Sequence, residues 1–314
     1  MKKFALAVHG GAGPDSDFIK KNQDGYKKGM EQALDAGYKV LEKGGSALDA
    51  VEAAVNSLEN NPLFNAGRGA AINDKGETQL CASITDGKHL KMGAVAIVKN
   101  VKNPVSLARQ VMEKTEHIYL GAFGALDFAT EIKAPLEPDA YFVTEHQFDT
   151  YLEEREKQRK KSAAQSAREA ALPQMERRKH GTVGAVALDK DGNLAAATST
   201  GGTEFEKAGR IGDSSMAGVG SYADNKFCAV STTGDGESLI RHLTSFHVAA
   251  LMEYKEFSLQ EACDFLIDVK CKDEKGDMGI LSIDTNAEVV FKFNSQRMHR
   301  GCKSSDGSMM VAIY

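Results

Sequence analysis

A threonine hydroxyl attacks a carbonyl only when a base is brought beside it, and His180-Gly181-Thr182-Val183-Gly184 holds a threonine where that could be arranged. If the chain were cut before Thr182, the freed α-amine would itself take the hydroxyl proton. Gly181 has no Cβ, so it tolerates the close approach and strain that attack of the Thr182 hydroxyl on the Gly181 carbonyl requires. Taken alone, a Gly-Thr pair is an ordinary way to begin a strand. Two later runs add chemistry. Gly209-Arg210-Ile211-Gly212-Asp213-Ser214 puts a guanidinium and a carboxylate three residues apart in a glycine-rich loop. An arginine fork can hold an α-carboxylate and a carboxylate can hold an α-ammonium, so the pair could recognise a free amino-acid head group. A surface ion pair is the plain alternative. Thr232-Thr233-Gly234-Asp235-Gly236-Glu237 offers a hydroxyl and backbone N–H groups suited to an oxyanion, or simply a helix N-cap.

Other chemistries lack their partners. His9-Gly10-Gly11-Ala12-Gly13 resembles an oxyanion loop of serine esterases, but no G-x-S-x-G elbow occurs, so a tight strand-to-loop turn is the expected reading. Neither G-x-G-x-x-G nor a phosphate-binding loop is present. The five cysteines are scattered without CxxC spacing and the eight histidines form no HExxH, so neither a disulfide framework nor a catalytic metal is expected. A net charge of −5 argues against nucleic acid as a partner, and no apolar run reaches the roughly 18 residues of a membrane span. The apolar start Phe4–Val8 is too short for a signal-peptide core and reads as a first strand, which points to a cytoplasmic protein.

Elements must bring these runs together. Residues 22–43 have helical spacing, and Ser46 with Asp49 marks a capping box for a second helix carrying Val51, Ala54, Val55 and Leu58. The segment from Ala70 predicts a hairpin, with strands at 70–73 and 78–84 around the turn Asn73–Glu77. Another strand covers 93–98 and a helix begins near Pro104. Residues 153–161 hold eight charges in nine positions, and a charged linker or solvated helix over about 150–180 is expected. Strands at 182–188 and 193–199 flank the turn Asp189-Lys-Asp-Gly192, a strong hairpin signal. A strand at 227–233, helices from Glu237 and Ser258, and strands at 278–284 and 288–294 complete the pattern. Each half supplies strands and a pair of helices. An α+β fold with two stacked sheets between helices, a four-layer αββα sandwich, would bury every apolar face.

The set of runs HGGAG, NPLFNAGRGA, ASITDG, HGTVGAVALDKDGNLAAATSTGG, GRIGDSS, TTGDGE and FNSQRMHRG, in that order, resembles the plant-type asparaginase/isoaspartyl peptidase family of N-terminal nucleophile hydrolases over essentially the whole chain. The resemblance implies one domain, 1–314, cut between Gly181 and Thr182 into fragments 1–181 and 182–314. Thr182 would be the nucleophile and Thr200 its orienting partner. Substrate binding would fall to Arg210, Ile211, Gly212 and Asp213 and to Thr233, Gly234, Asp235 and Gly236. Thr233 and Gly234, helped by Asn65, would stabilise the oxyanion. No catalytic cofactor is implied, but a structural sodium ion held by backbone carbonyls of residues 58–68 is. The expected partners are a small-molecule or dipeptide substrate and a second autocleaved protomer in a homodimer. The activity implied is hydrolysis of isoaspartyl dipeptides or asparagine. A glycosylasparaginase-like amidase and a non-catalytic relative are the alternatives. The chain departs from the usual pattern at Cys81, where aspartate is common, at Glu206, and at Met278.

Overall fold

The computed structural model describes residues 3–165 and 181–314. Strands β1 (Ala5–Gly13), β2 (Leu80–Asp86), β3 (Lys91–Val98), β4 (Tyr119–Gly121), β5 (Val183–Leu188) and β6 (Leu194–Thr200) belong to one sheet. Strands β7 (Ser221–Ala223), β8 (Cys228–Gly234), β9 (Met278–Asp284) and β10 (Val289–Phe293) form a second sheet, and β11 (Arg297–Ser304) and β12 (Met309–Ala312) return to the first. The sheet orders are β12-β11-β1-β5-β6-β2-β3-β4 and β10-β9-β8-β7. Among the described strands β3 and β4 pair in parallel and the other neighbours are antiparallel. The hairpin β5–β6 occupies the middle of the large sheet, so the segment with Thr182 at its head is flanked on both sides.

Side-chain alternation fixes the layers. Leu6, Val8, Val183, Ala185, Ala187, Ala195 and Ala197 face the helices Gln23–Glu42, Ala47–Glu59 and Pro104–Lys114, and share one core with them. Their alternates Ala5, Ala7, Val186, Leu188, Leu194 and Ala196 face the second sheet, where they meet Ala229, Leu281 and Ile283. The outer face of that second sheet, with Cys228, Val230, Met278 and Ile280, packs on Leu239, Val248, Leu259, Ala262 and Leu266 of the later helices. Helix, sheet, sheet and helix follow in order, which is the αββα sandwich.

The helix starts have local causes. The Ser46 hydroxyl accepts the Asp49 N–H, while Ser258 and Glu261 form a complete capping box. Two expectations change. HGGAG is no turn: it continues β1 to Gly13, with a bulge between His9 and Ala12 and Gly11 at φ +110°. Residues 70–73 form no strand, because their backbone is used elsewhere. The Ala71 N–H donates to Asn65 Oδ1 at 2.7 Å and the Ile72 carbonyl accepts from Phe205 N–H at 2.9 Å. Asn73 closes the turn, its N–H donating to the Glu77 carbonyl at 2.9 Å and its side chain accepting the Lys75 and Glu77 N–H groups, and β2 begins only at Leu80. Of the two readings given for 150–180, residues 150–165 take the helical one, within the helix Glu145–Gln165, and the rest of the segment lies outside the described residues.

Candidate active site

Strand parity that sends apolar side chains into the inter-sheet layer at one end sends polar ones there at the other. His9, Thr182, Thr198, Thr200, Ser231 and Thr233 lie on the same alternation as Ala7, Val186, Ala196 and Ala229, and all six are buried. Thr182 is 4% exposed. The carbonyl immediately before it, Gly181 C=O, accepts Asn65 Nδ2–H at 2.9 Å and the Thr200 hydroxyl at 3.0 Å. Two donors on one carbonyl oxygen draw electron density from its carbon and are placed where negative charge would grow during attack. Both donors are fixed from behind. Asn65 also donates to Gly202 O at 2.7 Å and accepts Ala71 N–H, while Thr200 Oγ1 accepts Gly202 N–H at 3.1 Å. The segment 70–73 thus gives up a ladder to orient Asn65.

Beneath Thr182 runs a buried polar chain. The Thr182 carbonyl lies 3.0 Å from His9 Nδ1, His9 Nε2 lies 2.9 Å from Ser231 Oγ, and Ser231 lies 2.6 Å from Thr198 Oγ1. Burial holds the His9 pKa down to about 3, so the ring is neutral. A carbonyl can only accept, so Nδ1 carries the proton and Ser231 donates to Nε2. Two glycines make this possible. A Cβ on Gly184 would fall on Ser231 Oγ and His9 Nε2, and one on Gly11 would stand 3.2 Å from Gly181 Cα and 3.4 Å from Thr182 N.

Arg210 and Asp213 stand together, as expected from their loop. A Cβ on Gly236 would be 2.6 Å from Arg210 Nη2 and 3.1 Å from Asp213 Oδ1, so the missing side chain leaves room between cation and carboxylate. Gly212 backs the guanidinium in the same way, with its would-be Cβ 2.7 Å from Nη1. Arg210 is already paired. Nε and Nη2 donate to the two Glu237 oxygens at 3.0 and 2.8 Å, and Nη1 donates to Glu206 at 3.2 Å. The second hydrogens of Nη1 and Nη2 remain for a ligand. Asp213 is pushed up to about 6 by burial, against the pull of Arg210 and the Thr232 hydroxyl. Glu206, 4% exposed, is likewise raised by desolvation.

Thr233 stands in the inter-sheet layer, where its hydroxyl accepts Ala12 N–H at 3.1 Å and keeps its own hydrogen to give. Gly234 follows at φ +137°, with Asp277 O at the place a Cβ would take. Asp235 serves the humbler role: its carboxylate accepts Ser238 N–H at 2.8 Å and caps the helix Gly236–His242. Ile211 is half-buried in the Arg210 loop. The structure therefore brings Asn65, Gly181, Thr182 and Thr200 into one cluster, with Arg210, Asp213 and Gly236 in another.

Sequence reasoning missed His9 and Ser231, whose signal was parity on neighbouring strands. It also missed Glu59, fully buried, whose carboxylate accepts the Ser199 hydroxyl at 2.7 Å, Val105 N–H at 3.0 Å and Asn103 Nδ2–H at 3.0 Å. Burial raises it to about 7 despite those donors. In the loop after it, the Pro62 and Phe64 carbonyls crowd Gly69, where a Cβ would stand 2.6 and 2.7 Å from the two oxygens. Gathered carbonyl oxygens are the hard, neutral donors that an alkali cation accepts.

The four-layer sandwich is the fold of the N-terminal nucleophile hydrolases. The chain belongs to the asparaginase family, whose model matches residues 2–313. It is 40% identical to a probable isoaspartyl peptidase/L-asparaginase 2 of Arabidopsis thaliana, over the full length of both chains. It is 41% identical to an isoaspartyl peptidase of Salmonella typhimurium, covering all of this chain and 99% of the relative. It is 42% identical to an isoaspartyl peptidase/L-asparaginase of Homo sapiens, covering all of this chain and 96% of the relative. No helix among the described residues is long and apolar enough to cross a membrane.

Proposed function

We propose that this chain is an autoprocessing amidohydrolase that releases aspartate from isoaspartyl dipeptides, asparagine or both. The observation that carries the reading is the Gly181 carbonyl, held by Asn65 and Thr200 directly before the buried Thr182. In maturation the Thr182 oxygen attacks the Gly181 carbonyl carbon, the Gly181–Thr182 C–N bond breaks, and water hydrolyses the resulting ester. The amine thereby freed becomes the base. In turnover that amine takes the Thr182 hydroxyl proton while the oxygen attacks the substrate β-carbonyl. The Thr233 hydroxyl and the Gly234 N–H receive the oxyanion. The leaving amine departs with a proton, and water then releases aspartate from the Thr182 ester. Arg210 holds the α-carboxylate on its remaining N–H groups and Asp213 holds the α-ammonium, with Gly236 leaving space between them. A sodium ion, held by backbone carbonyls of residues 58–68, would stiffen the loop that carries Asn65. The working form would be a homodimer of cleaved protomers.

Thr182→Ala is the test. Intact mass of the purified wild type should show two fragments meeting at 181/182. The variant should stay as one chain with no turnover. Hydrolysis by an uncut Thr182→Ala protein would overturn the assignment.

A further inference from the structure

Behind Gly181 the site opens into a cleft lined by Gly10, Asn65, Gly181, Tyr26, Arg297 and His299. Its far wall carries polar groups that the chemistry above does not use. Arg297 is 7% exposed, yet among the described residues it makes no ion pair. Asp15 and Asp277 act on it only through space, its Nε donates to Pro14 O at 3.0 Å, and Nη1 lies 3.4 Å from His299 Nδ1. A buried guanidinium without a carboxylate is costly, because desolvation is not offset by a counter-charge. His299 is 1% exposed and stacks on Tyr26 with ring centroids 4.3 Å apart, and its Nε2 is buried with no hydrogen-bond partner. The Gly10 carbonyl, 3.2 Å from Nδ1, can only accept, so Nδ1 carries the proton and Nε2 is a buried acceptor without a donor. Glu204 and His146 also line the cleft.

We propose that Arg297 forms a subsite for the carboxylate of the amino acid that leaves an isoaspartyl dipeptide. This deepens the proposed hydrolase reading and rests on it. Arg210 and Asp213 grip the aspartyl half by its two α-groups, so the half beyond the scissile bond must lie elsewhere. The cleft is lined by Gly181, the residue whose bond the maturation step breaks, and by an arginine that makes no ion pair among the described residues. A carboxylate entering there supplies the missing counter-charge. Asparagine, whose leaving group is ammonia, gains nothing from this subsite.

The test compares β-aspartyl-leucine, its C-terminal amide and asparagine on wild type and Arg297→Gln. Wild type should cleave the free dipeptide at least tenfold more efficiently than the amide. Arg297→Gln should raise KM for the dipeptide by tenfold or more with kcat little changed, and leave kcat/KM for asparagine within twofold. Equal losses on dipeptide and asparagine, or a wild type indifferent to the amide, overturn the subsite while the hydrolase reading stands. If Arg297→Gln fails to fold or mature, the wild-type comparison of dipeptide with amide decides alone. No turnover on any of the three by matured wild type would bring down the hydrolase reading itself, and the subsite with it.

Discussion

At the scale of single residues, the site separates groups by charge state. His9 is kept neutral by burial, which suits a ring that only props the Thr182 carbonyl. Asp213 is the opposite case: its proposed partner is an ammonium, so it must be ionised to work, while burial pushes it up to about 6. A carboxyl raised in the folded state binds protons there more tightly than in the unfolded chain. Its stability contribution is therefore present at low pH and lost as pH rises through about 6. Catalysis has the reverse sign. The Thr182 amine, ordinarily about 7.7–8.0, gives kcat/KM one acid limb, and Asp213 adds a second below about 6. The logarithmic pH profile of kcat/KM should steepen from slope one to slope two as pH falls through that value. A slope that stays at one down to pH 5 removes Asp213 from substrate recognition.

Individual elements show what could be read from the chain and what could not. The turn Asp189-Lys-Asp-Gly192 between the apolar runs 182–188 and 193–199 marked the central hairpin, whose strands are buried on both faces. The Ser258 capping box was equally legible, being a local pattern with a local cause. Residues 70–73 were not, because what decides them is a side chain, Asn65, that takes their N–H group across the site. The bulge in β1 was hidden for a related reason: His9-Gly10-Gly11 is shaped by Gly181 and Ser231, both far away in sequence. Arg210 was legible as a cation near a carboxylate, but its clamp by Glu206 and Glu237 needed the loop's path. Gly184 binds these lessons together, since only its lack of a side chain lets β5 pass over the His9–Ser231 pair. Gly184→Ala should cost about 2 kcal/mol through overpacking and block maturation. Gly124→Ala, where a Cβ meets nothing within 4 Å, is the control and should be neutral or stabilising by up to about 1 kcal/mol. Denaturant midpoints and a gel of the cleavage products read both, and a Gly184→Ala protein that matures at the wild-type rate would contradict the role given to the buried pair.

For the whole molecule, four layers cover both faces of both sheets and leave an apolar groove open to solvent. This groove of about 450 Å³ is lined by Leu90, Met92, Ile118, Tyr222, Leu243 and Phe246. Leu90 is 63% exposed, Ile118 59% and Leu243 55%. Two of these leucines also sit in left-handed backbone, Leu90 at φ 52° and Leu243 at φ 47°. That conformation costs a residue with a Cβ roughly 1–2 kcal/mol, and here it presents an apolar side chain to water. Strain and exposure on the same residues are reasonable only if something covers them. A second copy of this chain fits best, given the homodimer that the family resemblance implies, and the apolar composition of the groove matches a permanent interface better than a transient one. Sedimentation should therefore find the wild type as a dimer at micromolar concentration. Leu243→Glu with Phe246→Glu should weaken it by a hundredfold or more, since central apolar anchors commonly carry 2 kcal/mol or more each. Because the groove lies apart from Gly181 and Arg210, the variant should still mature. A double variant that sediments as the wild type does would mean the groove serves something other than self-association.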